Sequence, residues 1–195
     1  MFAFVMTGPS SRSGRQDGVI ENCIEKIAAG DREALTPLYR QTSATVYGFA
    51  LSILKNRQDA EDVLQDTYLR IWNAAGSYTP GGKPLAWILT ITRNLALMRM
   101  RERSRTVEMA PDVWQSFLAE EAAGNQEDRL MLASLLEMLS DQERQIVMLH
   151  AMTGWKHREI AELLHLPLPT VLSKYNRVLK KIRDVWKEAN EYDGS

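Results

Sequence analysis

From about Val19 to about Lys187 the apolar residues recur three and four positions apart, and no stretch alternates apolar with polar as a half-buried strand does. A chain so patterned must bury helix faces against helix faces, which predicts an all-α fold. Breakers and caps divide it into two blocks. The first, 19–104, carries helices near 20–29, 31–54, 57–75 and 84–103, with Asp31 and Asp59 positioned as N-terminal caps and Gly30 as a stop. The second, 129–187, carries helices near 129–139, 141–152, 156–164 and 168–187. Ser140 precedes Glu143 by the spacing of a capping box. Thr153-Gly154 ends that helix, and Leu166-Pro167 breaks the next. The stretch 105–128 has no clear period and is read as a flexible acidic linker. Residues 1–18, rich in Gly, Ser and Arg over 7–18, and residues 188–195 are read as tails, with Met6 a second candidate start. The expected architecture is two small helical domains on a linker, the second a four-helix helix-turn-helix domain.

Charge is distributed in blocks that the net value of −1 conceals. Residues 93–105 hold five arginines and one glutamate, and 168–183 hold five bases and no acid. Residues 106–128 hold six acids (Glu108, Asp112, Glu120, Glu121, Glu127, Asp128) and no base. Local potential of this kind steers association with charged partners. A single cysteine, Cys23, excludes an internal disulfide and fits a reducing compartment. The opening MFAFVM is too short for a signal-peptide core, and no apolar run approaches the ~20 residues of a membrane span. A cytoplasmic location is expected. His150, His157 and His165 have no partner at i,i+4 and no clustered carboxylates, so neither a metal, a cofactor nor a catalytic site is expected.

The C-terminal block contains a short amphipathic helix, KHREIAELL (156–164), a turn at His165-Leu166-Pro167, and a longer basic helix. That is the layout of a helix-turn-helix, whose second helix enters the DNA major groove. At 100° per residue, Val171, Tyr175, Val178 and Ile182 share one narrow apolar arc. Ser173, Asn176, Arg177 and Lys180 fall opposite it, with Thr170 at the edge. Their hydroxyl, amide and cationic groups are those that base edges and phosphates require.

The N-terminal block is more specific. In DAEDVLQDTYLRIW (59–72), Ala60, Val63, Leu64, Thr67 and Ile71 form an inward stripe, while Asp62, Gln65, Asp66 and Leu69 share another face. In PLAWILTITRNLALMRMR (84–101), Trp87, Ile88, Ile91, Leu95 and Met98 cover an apolar arc beside a stripe of Thr90, Asn94 and Arg101. The loop between them, SYTPGGKP (77–84), is glycine-rich and carries Tyr78 and Lys83.

These stretches, in this order, resemble the extracytoplasmic-function (ECF) sigma factors, minimal two-domain promoter-specificity subunits of bacterial RNA polymerase. The resemblance spans roughly 21–187 and includes LSDQERQIVMLHAMTGWKHREIAELLHLPLPTVLSKYNRVLKKIR, which is similar to the sigma domain that reads the minus-35 element. It implies that Asp59, Asp62, Gln65, Asp66 and Leu69 dock on core polymerase. It implies that Tyr78, Lys83, Thr90, Asn94 and Arg101 meet the minus-10 element, with Tyr78 stacking on an unpaired base and Asn94 making a polar contact. Thr170, Ser173, Asn176, Arg177 and Lys180 would then meet the minus-35 element. An acidic linker would suit polymerase channels built for nucleic acid. An anti-sigma factor, often membrane-anchored in this family, is the further partner implied.

Three positions depart from the family's habit: His165 and Pro169 stand where glycine is common, and Leu172 where a base is. Promoter sequence is therefore not carried over. The alternative reading is a helix-turn-helix regulator that is not a polymerase subunit. It predicts an N-terminal ligand or phosphoacceptor domain with strands, and this sequence offers none.

Overall fold

The computed structural model describes residues 13–102, 113–121 and 126–192, and every regular element among them is helical. In chain order they are α1 (Ser13–Ala28), α2 (Leu35–Leu54), α3 (Arg57–Ala74), a 3₁₀ turn (Ala75–Ser77), α4 (Pro84–Glu102), α5 (Val113–Glu121), α6 (Gln126–Met138), α7 (Asp141–Thr153), α8 (His157–Leu164) and α9 (Leu168–Tyr192). Among the described residues no helix is long and apolar enough to cross a membrane.

Helices α1–α4 pack on one another around Ile20, Ile24, Leu38, Phe49, Ile71, Ile88 and Leu89. The first helix begins inside the segment expected to be a tail. Its anchors Ile20 and Ile24 are fully buried, and extending a helix already held by packing needs only one further hydrogen bond per residue, so it reaches back to Ser13. Neither aspartate is the cap the sequence reading assigned. Asp31 accepts from the Glu33 amide at 2.9 Å within a turn, and α2 starts only at Leu35. Asn56 is the N-cap of α3, accepting from the Asp59 amide at 3.0 Å, so Asp59 falls inside the first turn. Gly30 does stop α1, with φ of 90°.

The buried face of α4 is displaced from the expected arc. Leu85, Ile88, Leu89, Thr92 and Ala96 face inward, whereas Met98 is 51% exposed. Thr92 and Ala96 are small, and the Thr92 hydroxyl is absorbed by the Ile88 carbonyl at 3.0 Å, so α4 can lie close against α3.

In the second half, Ser140 and Glu143 form the expected capping box on α7, and Gly154 ends that helix at φ 71°. The inner arc of α9, Val171, Tyr175, Val178 and Ile182, is buried as the wheel predicts. The segment 105–128 is not the flexible tether expected of it throughout. Its described part holds α5, whose Val113, Trp114, Phe117 and Leu118 are buried. Acid content gave the segment its polar look, but its apolar residues sit one turn apart and find a core.

That core joins the halves. Helix α2 lies directly on α7, and α5 packs on α6. Gly48 of α2 is where they meet: a Cβ there would come within 2.8 Å of Met152 Sδ and 2.9 Å of Phe117 Cζ. Phe117 also packs on Tyr47, and the Arg144 guanidinium lies 5.6 Å over the Trp114 ring.

Candidate nucleic-acid interface

Three surfaces stand on this frame. On α3 the inner stripe Ala60, Val63, Thr67 and Ile71 is buried, and Leu64 is half-buried. Gln65 and Asp66 are exposed beside Leu69, which leaves 63% of its surface open to solvent. Among the described residues no ion pair joins Asp66 to Arg70, although their i,i+4 spacing would allow it. Asp59 is different from the other members of the expected docking set. It is only 3% exposed and accepts from Arg99 Nε of α4 at 3.3 Å. Arg99 also bonds Asp62, and these bonds and charges hold the guanidinium above its ordinary range. Asp59 thus fastens α3 to α4 instead of lying on an open face, and Asp62 is shared between that clasp and the surface.

The second surface surrounds the loop before α4. Tyr78 packs on Trp87 with ring centroids 5.4 Å apart. Its hydroxyl donates to Glu21 of α1 at 3.0 Å, and the same carboxylate accepts from the Gly81 amide at 2.6 Å. Burial, and then this hydrogen bond, push the phenol up to about 12. The sequence reading did not single out Glu21; nothing in its local pattern marks a side chain that clasps a loop some 57 residues away. Gly81 takes φ of 80°, a conformation that glycine adopts without strain. Beyond the loop, Thr90, Asn94 and Arg101 are all exposed, with the Thr90 hydroxyl returned to the Ala86 carbonyl at 2.8 Å. Lys83 is exposed but engaged: its ammonium lies 3.0 Å from Glu159 and 3.9 Å from Glu162, both on α8.

The third surface is α8–turn–α9. His165 caps α8 in the left-handed region at φ 54°, which explains why a glycine would suit that position. Pro169 sits in the first turn of α9, where its missing N–H has no helical partner to lose. Ser173, Asn176 and Lys180 are exposed, and Thr170 is half-buried. The Arg177 side chain is 58% exposed and is steadied by Glu143, 3.7 Å away. Burial alone would raise the Glu143 carboxyl, but hydrogen bonds from Lys181 and Ser140 hold it below the ordinary range. Beneath this surface His150 and His157 stack at 5.2 Å and both meet the Tyr175 ring edge-on.

A basic helix carried after a tight turn, with an exposed acidic face on a helix of the other half, is the arrangement of a protein that meets both DNA and a protein partner. Comparison with known proteins makes the class specific. Residues 38–106 match Sigma-70 region 2 and residues 129–182 match Sigma-70, region 4. The ECF RNA polymerase sigma factor SigK of Mycobacterium ulcerans is 29% identical over 191 residues, covering 92% of this chain and 97% of that protein. SigK of Mycolicibacterium vanbaalenii is 28% identical, covering 94% and 97%. The fold is shared with CnrH in complex with the cytosolic domain of CnrY, at a TM-score of 0.62 and 21% identity over 87% of this chain and 98% of that one. It is also shared with the sigma factor RpoE of Bartonella quintana in complex with the anti-sigma factor NepR, at a TM-score of 0.60 and 23% identity over 78% and 96%. The chain belongs to the sigma-70 family, as a sigma factor of the ECF class.

Proposed function

We propose that this chain binds core RNA polymerase, directs it to promoters bearing an upstream and a downstream element, and helps open the duplex, with no catalysis of its own. Polymerase supplies the chemistry; the chain supplies address and strand separation, working in the cytoplasm. The observation that carries this reading is the state of α3. Gln65, Asp66 and Leu69 remain exposed on a helix whose inner stripe packs on the core, so packing among the described residues does not account for them. Carboxylate, amide and leucine together suit a partner surface that is part basic and part apolar. Asp62 joins them, and Asp59 supports them from beneath through Arg99.

Tyr78, Lys83, Thr90, Asn94 and Arg101 are assigned to the minus-10 element, and Thr170, Ser173, Asn176, Arg177 and Lys180 to the minus-35 element. The packed halves give this assignment a consequence. The two elements lie about 25 base pairs apart, or about 85 Å at about 3.4 Å per pair, while Lys83 of one surface touches α8 of the other. Arg93 also reaches the Leu164 carbonyl at 3.4 Å. The free chain therefore cannot span a promoter, and core polymerase must draw the halves apart before both can read. An anti-sigma factor is a fitting further partner, since the RpoE neighbour is held by one.

The test is in vitro transcription with permanganate footprinting on duplex templates and on templates pre-melted over the downstream element. Asn94→Ala should be rescued by the pre-melted template and Arg177→Ala should not. The opposite pattern would reverse the two roles, and no effect of either would refute the residue assignment.

A further inference from the structure

We infer that Leu172 is a specificity-determining contact for the C5-methyl group of a thymine in the upstream element, an inference that rests on the reading of α9 as the major-groove helix. Leu172 lies in the second turn of α9 and keeps 41% of its surface exposed. Packing does not require it there, because the helix is held by the separate arc of Val171, Tyr175, Val178 and Ile182. Its surroundings are those of a nucleic-acid surface: Ser173 and Asn176 beside it are exposed, and residues 168–183 carry five bases and no acid. Pro169, three residues earlier on the same side and also exposed, extends the apolar spot toward the helix N-terminus.

A leucine can neither donate to nor accept from a base edge, and it has nothing to offer a phosphate. The one apolar group that a base pair displays in the major groove is the thymine methyl. The N-terminal turns of a reading helix are the part that reaches base edges. Leucine placed there selects thymine over cytosine by burying that methyl against its own branched end. The neighbouring Ser173 and Asn176 remain free to bond the adjacent pairs. A basic side chain at position 172 would select guanine or a phosphate in its place, so the chain's promoter preference should differ from that of relatives carrying one.

The experiment uses holoenzyme reconstituted from the full chain and core polymerase. Upstream sequences are selected from a randomised duplex, and each enriched thymine is then replaced by deoxyuridine, which removes the methyl and nothing else. At one position the native holoenzyme should lose about fourfold in affinity, the equivalent of about 0.8 kcal/mol for one buried methyl-sized group. Leu172→Ala should be indifferent to the replacement at that position and unchanged at the others, and Leu172→Met should restore the sensitivity. If uridine is tolerated everywhere, or if Leu172→Ala retains the native loss, Leu172 does not read a methyl and the inference is wrong, while the assignment of α9 as the reading helix is untouched. If no upstream sequence is enriched at all, the assignment of α9 falls and this inference with it.

Discussion

Removing the Trp114 indole should loosen the junction between the two halves by an amount the structure allows to be worked out. The ring is fully buried, meets Phe117 edge-on at 6.2 Å, and lies under the Arg144 guanidinium. Truncating a buried tryptophan to alanine removes about 3–5 kcal/mol of transfer and cavity terms. Part of that is offset, because Nε1–H is buried with no acceptor among the described residues, and deleting an unsatisfied donor returns about 1–3 kcal/mol. Trp114→Ala should therefore cost about 2 kcal/mol, or a fall of about 4–8 °C in melting temperature at this chain length. Trp114→Phe keeps a ring against Phe117 and discards the orphaned N–H, so it should lie within about 1 kcal/mol of the native protein. Thermal melts by circular dichroism measure the stability, and small-angle scattering follows the separation of the halves, which should grow only in Trp114→Ala. If the phenylalanine variant is as damaged as the alanine variant, the packing argument fails. If Trp114→Ala melts and scatters like the native chain, α5 does not hold the halves together.

Gln65→Ala with Leu69→Ala should lower affinity for core polymerase by more than ~1 kcal/mol per anchor while stability moves by less than about 0.5 kcal/mol; pull-down and melting measured together separate docking from folding. Lys83→Glu should cost the free chain about 1 kcal/mol, since Lys83 and Glu162 are exposed and Glu159 is half-buried, yet it should open the halves in scattering and weaken strand opening at a promoter. His157 gives a pH dependence: burial, and then the charge of His150, hold its imidazole below its ordinary value. The unfolded chain thus takes up a proton first as pH falls, so this contribution is intact above about pH 6.5 and is lost below it, by up to about 1.4 kcal/mol per unit. His157→Gln should flatten that slope in urea titrations at pH 5.5 to 7.5, and an unchanged slope would place its origin elsewhere.

What the sequence made legible was decided by how strongly single residues commit the backbone. Gly30, Gly154 and the Ser140–Glu143 box fix helix ends through their own φ or hydrogen bonds, and the structure has each where the sequence reading put it. The α9 arc was equally clear because its opposite face is polar. Helix α4 was not, since it is apolar on nearly every side and its period cannot choose between Ile91 and Leu89 as the deeper residue. Asp59 resembled a cap and a docking residue; its burial follows from Arg99, some 40 positions away. The clasp of Glu21 on Tyr78 and the pairing of Lys83 with Glu159 are likewise tertiary facts with no local trace. The acidic stretch misled for another reason, because charge counting hid the apolar side that α5 buries.

The most direct test of the account is core dependence. Purified chain, core polymerase and a promoter selected by their combination are mixed in all pairings, and both DNA binding and transcripts are read at moderate salt. The account predicts weak, sequence-indifferent binding by the free chain, because its reading surfaces are packed together, and specific transcripts only when chain and core are both present. Tight, sequence-specific binding by the chain alone, with no gain in transcription when core is added, would contradict it and favour a regulator that is not a polymerase subunit.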